Sequence, residues 1–97
     1  MDHIEISEAT AQPGLGVLPS HKISITHGSN TYIYWYVKNK HDSRDFDKKK
    51  DNRLIKLMHS KGIEMKLGGF ESFNIGSGKD YHLERKGSHE FIIKSLN

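Results

Sequence analysis

The chain has no cysteine, only two prolines in 97 residues, and no apolar stretch approaching the ~20 residues that a membrane-spanning helix needs. Without cysteine there can be neither a disulfide framework nor a thiolate metal site, a composition that accords with a reducing compartment. The N-terminus, MDHIEISEAT, starts acidic and shows no basic segment followed by an apolar run. No secretory leader is read there, and a small soluble cytoplasmic protein is expected, with no part in a membrane. The seven histidines, His3, His21, His27, His41, His59, His82 and His89, include no pair at the i, i+4 spacing of a helix or the i, i+2 spacing of a strand. No local pair can therefore converge on one ion, and neither a metal nor another cofactor is expected. Enzyme sites juxtapose a nucleophile, a base and an orienting group, and no spacing here assigns a catalytic residue.

Fifteen Lys and Arg stand against twelve Asp and Glu, a formal net charge of +3. That balance permits contact with anions, but the basic residues alternate with acids instead of forming a uniform run. Ninety-seven residues suffice for one domain, 1–97, and for one core.

Against this polar background stands TYIYWYV, residues 31–37, with four aromatic side chains in seven positions. Alternation with period two sends Ile33, Trp35 and Val37 to one face of a strand and Tyr32, Tyr34 and Tyr36 to the other. Both faces are apolar, as expected of an inner strand that needs cover on two sides. Just upstream, KISIT places Ile23 and Ile25 together, and HGSN offers Gly and Asn for a hairpin loop, so Lys22 to Val37 reads as a β-hairpin. HIEISEA reads as a further short strand and TAQPGLGVLPSH as ordered loop.

Residues 38–52, KNKHDSRDFDKKKDN, contain a single apolar side chain, Phe46. They lead into RLIKLMHSKG, where Leu54, Ile55, Leu57 and Met58 share a helical face. Gly62 suits a left-handed C-cap, and Lys56, His59 and Lys61 suit the negative pole of the helix dipole. A helix over about 45–60 is expected, although LIKLM also half-alternates as a strand would. GIEMKL then alternates as a strand carrying Ile63, Met65 and Leu67 on one face. Glu64 and Lys66 share the other face, the Glu-x-Lys spacing of many metal-dependent nucleases, with Asp47 and Asp51 as loose candidates for the acidic partner and an exposed ion-pair strand as the favoured reading. The last third resolves into three short strands separated by GSGK and RKGS, with Phe91 and Ile93 opposite Ile92. NIGSGKD lacks the first glycine and the following Ser or Thr of a phosphate-binding loop and reads as a hairpin turn. The expected fold is α+β: an N-terminal hairpin, one helix and a C-terminal antiparallel meander, with an all-β sandwich as the alternative.

Three functions follow from these residues. The first is a non-catalytic interaction module that binds a protein partner, or itself, through an aromatic sheet surface made by Tyr32, Tyr34 and Tyr36. The second is a nucleic-acid or polyanion binder using Lys48, Lys49, Lys50, Arg53 and Lys56, with Asp45, Asp47 and Asp51 among them marking the competing reading of a solvated helix face. The third comes from ERKGSHEFII, whose Lys-Gly-Ser-His before a strand resembles the motif of HicA-type ribonuclease toxins. LIKLMHSKGIEM is similar to the helix, glycine and strand that precede that motif in the family. The resemblance spans under a quarter of the chain and implies RNA cleavage with His89 as the catalytic residue.

Overall fold

The computed structural model describes residues 3–9, 20–37, 48–74 and 80–95. Its elements are β1 (His3–Ala9), β2 (Ser20–His27), β3 (Asn30–Val37), α1 (Lys48–Glu64), β4 (Phe70–Asn74), β5 (Asp80–Gly87) and β6 (Glu90–Ser95). Among the described residues they form one six-stranded mixed sheet, in the order β1-β2-β3-β6-β5-β4, and one helix. Both halves are antiparallel meanders, as the alternating patterns predict. They join through a parallel pairing of β3 with β6, continued beyond the strands by the Ile33 amide donating to the His89 carbonyl at 2.8 Å. The fold is α+β, and TYIYWYV is one of its two central strands.

The hairpin of β2 and β3 turns at Gly28 and Ser29. Gly28 has a φ of 62°, the left-handed conformation for which glycine carries no steric penalty. The segments expected to form the ordered loop at 10–19 and the turn of NIGSGKD at 75–79 lie outside the described residues, as do residues 38–47. No helix among the described residues is long and apolar enough to cross a membrane.

Across the face that carries the helix, the register aligns side chains into rows. One runs Ile23, Tyr34, Phe91, Arg85; the next runs His21, Tyr36, Ile93, Leu83. Leu54, Ile55 and Met58 of α1 close over these rows, and Ile23, Tyr36, Leu83 and Phe91 are wholly shielded from solvent. Leu57, expected on the same helical face, stays 47% exposed. The face turned to the sheet is completed instead by His59 and Gly62, four and seven residues after Ile55.

Gly62 corrects the expected helix end. Its φ is not in the left-handed region, and the helix runs through it to Glu64. A Cβ there would lie 2.9 Å from a carbon of the Phe91 ring, so the glycine is required by the approach of helix to sheet and not by a cap. The strand expected over GIEMKL is absent for the same reason: residues 65–69 form a turn that returns the chain to β4. Glu64 and Lys66 therefore do not share a strand face. The helix end is held instead by Arg85, whose Nη1 donates to the carbonyls of Ile63 (3.2 Å) and Met65 (2.6 Å). Its Nε and Nη2 donate to Gly87 and Ser88 across the β5–β6 turn, beside a bulge between Arg85 and Gly87.

Replacing Gly62 with Ala removes a helix-interior glycine, which alone stabilises by about 1 kcal/mol. It also forces a packed aromatic ring to move, at a cost of about 1–3 kcal/mol. Urea unfolding of Gly62→Ala is expected to show a net loss of about 1 kcal/mol; a gain of that size would contradict the packing.

Candidate functional site: the two faces of strand β3

β3 separates two different environments. Its tyrosine face points under the helix: Tyr34 is 1% exposed, Tyr36 0%, and Tyr32 half-buried at the margin. The aromatic row expected to form a partner-binding platform is brought together, but Tyr34 and Tyr36 belong to the core. The phenol of Tyr34 stacks on Phe91 with centroids 4.5 Å apart, and its hydroxyl meets Nδ1 of the buried His59 at 2.7 Å. Burial, reinforced by repulsion from Tyr32 and only partly offset by Arg85, holds the Tyr34 hydroxyl far above the ordinary phenol pKa. The phenol keeps its proton and can donate it to Nδ1, leaving Nε2 to carry the imidazole hydrogen.

His59 was not legible as a site residue, because near a helix C-terminus it reads as a cation facing the dipole. The Ile55–His59–Gly62 spacing was the available signal. Its imidazole meets Tyr32 edge-on at 4.9 Å, and the His89 ring meets the same tyrosine at 4.7 Å. Two histidines 30 positions apart in sequence thus flank one ring. His89 is exposed in the β5–β6 turn, with Nδ1 at 2.9 Å from the Ser88 hydroxyl. The Gly-Ser-His turn before β6 is therefore present. The helix–glycine–strand order that completed the resemblance to HicA-type toxins is not, because the helix passes through Gly62 and no strand follows until Phe70.

The opposite face of β3 carries Ile33, Trp35 and Val37, and no described helix covers it. The register sets Trp35 between Lys22 and Ile92, with Glu84 and then Phe70 beyond. Val37 and Ile92 are buried, Ile33 and Trp35 half-buried, and Phe70 is 67% exposed, resting on the His82 ring at 4.9 Å. Lys22, Glu84, Glu90 and Lys94 surround this apolar centre on the same face.

Of the basic residues read as an anion site, Arg53 and Lys56 are exposed on α1, three positions apart. Lys48, Lys49 and Lys50 form the first turn of the helix, and their side chains lie outside what the structure describes. Among the described residues no three His, Asp or Glu side chains gather as metal donors. No family model matches the chain, nor does any curated protein or solved structure.

The Tyr34–His59 bond can be tested by pH. A phenol whose pKa is raised on folding contributes stability that is intact below about pH 10, where the unfolded chain's tyrosine titrates, and is lost as pH climbs toward the folded value. Tyr34→Phe leaves buried His59 without this partner and is expected to cost about 1–3 kcal/mol near neutral pH. Thermal unfolding followed by circular dichroism should show the gap between wild type and variant narrowing above about pH 10. A constant or widening gap would contradict the assignment.

Proposed function

We propose that the protein is a small non-catalytic interaction module. It binds a protein partner, of which a second copy of itself is the simplest case, on the face of the sheet opposite α1, around Trp35. The observation behind this reading is the arrangement around that residue: half-buried Ile33 and Trp35, flanked by buried Val37 and Ile92, inside a rim of Lys22, Glu84, Glu90 and Lys94. Interfaces have this anatomy, an apolar core bordered by polar groups that fix register. Two lysines and two glutamates also make the rim able to complement itself, as a two-fold interface requires. The exposed Phe70 and the half-buried Trp35 supply the large aromatic side chains that dominate interface energetics.

Trp35 is the chain's one tryptophan, so the proposed surface carries its own fluorophore. Sedimentation velocity is expected to show concentration-dependent dimerisation accompanied by a blue shift of Trp35 emission. Phe70→Ser, at a position too exposed to matter to the core, and Trp35→Thr should both shift the equilibrium toward monomer by about tenfold or more, the loss of one interface anchor. The reading is overturned if wild type stays monomeric and immobilised wild type retains no protein from source cells that Trp35→Thr fails to retain.

A further inference from the structure

A single helix about 10 Å across cannot cover six strands spaced about 4.8 Å apart. α1 is seated against β5 and β6 through Gly62, Leu83 and Phe91. Toward β1 and β2 the same face of the sheet is left with a groove of about 400 Å3, lined by Ile4, Ile25, His27, Tyr32, Lys56, His59, Ser60 and Ile63. Pairing of Ile4 with Ile25 and of Ile25 with Tyr32 makes its floor one continuous row across three strands. Lys56, Ser60 and Ile63, at helical spacing, form its wall. The groove lies on the side of the sheet away from Trp35, so it is independent of the surface proposed above.

The lining divides by chemistry. Ile4 and Ile25 are buried apolar floor, Tyr32 adds half a ring, and Ile63, 43% exposed, forms an apolar lip. The polar groups are Lys56, Ser60 and His27, all exposed, and His59, held from below by Tyr34. Among the described residues lining the groove none is a carboxylate. Among the described lining residues the one Lys or Arg is Lys56, whose ammonium brings a fixed positive charge. The end of the helix nearby does not cancel it, since Arg85 occupies the carbonyls of Ile63 and Met65. A cation would be repelled, and a neutral apolar molecule would cover the lysine without pairing it. We infer that this groove is a binding site for a small amphipathic monoanion, a medium-chain carboxylate, its chain on Ile4, Ile25 and Ile63 and its head group on Lys56. A groove of this volume lies within the range of small-molecule sites, about 300–1,000 Å3.

The probes are octanoate, octan-1-ol and octylamine, added to the full chain and followed by amide chemical shifts. Octanoate is expected to perturb Ile4, Ile25, Ser60 and Ile63 while leaving Trp35 and Ile92 unmoved. Lys56→Met should weaken octanoate about tenfold or more, the scale of a lost charged hydrogen bond, and Lys56→Arg should restore most of the affinity. Octan-1-ol should bind wild type as weakly as octanoate binds Lys56→Met, and octylamine more weakly still. Lys56 is exposed, so the Met variant is expected to keep the wild-type spectrum without ligand. No shifts with octanoate, shifts centred on Trp35, equal binding of octanoate and octan-1-ol, or unchanged affinity in Lys56→Met would each overturn the inference.

Discussion

The ring of Phe91 lies flat on Tyr34, at a centroid distance of 4.5 Å and an interplanar angle of 9°, and the helix comes down on the same ring at Gly62. Phe91 and Tyr34 belong to the two strands paired in parallel, so this contact fixes the helix to the seam between the two antiparallel meanders. A side chain at position 62 would push the Phe91 ring aside. Arg85 then anchors the helix end to the neighbouring turn, with its guanidinium 5.7 Å from the centre of the Phe91 ring. Seating the helix here leaves it off-centre on a sheet it is too narrow to cover. The groove beside β1 and β2 and the helix-free face around Trp35 both follow from that placement.

Strand β3 resolves the puzzle of a segment apolar on both sides. On one side its tyrosines fill the core, with the hydroxyl of Tyr34 satisfied by a buried imidazole, as a polar group deep in apolar surroundings must be. On the other side, Trp35 and its neighbours have no helix over them among the described residues. The tyrosines, chemically suited to a wet surface, are the ones taken inside, and the tryptophan is left at the margin of solvent. A polar handle did not decide the orientation; the register with Ile23, Phe91 and Ile93 did.

What the sequence made legible were the features that depend on neighbours in the chain. Alternation located Ile23 and Ile25, Tyr32 to Val37, and Phe91 to Ile93 on their correct faces, and Gly28 marked the hairpin turn. The parallel seam between β3 and β6 was not legible, because it pairs residues more than fifty positions apart and no local pattern encodes it. Gly62 looked like a helix end for the same reason: the ring that requires it lies 29 residues later. His59 was read by its charge and its closeness to the helix terminus, whereas its partner, Tyr34, lies 25 residues earlier. Lys56 was read as one of five basic residues around the helix, with a solvated helix face as the competing reading. Its place on the wall of an apolar groove depends on how the helix is seated, which no stretch of sequence states.

The seating of the helix on Phe91 is measured most directly by proton resonance. An aromatic ring this close to a glycine is expected to shift the Gly62 α-protons well upfield of their random-coil position and to give nuclear Overhauser contacts from Gly62 to the Phe91 ring and from that ring to Tyr34. Unshifted Gly62 α-protons with no contact to Phe91 would contradict the placement of the helix, and with it both surfaces that the placement creates.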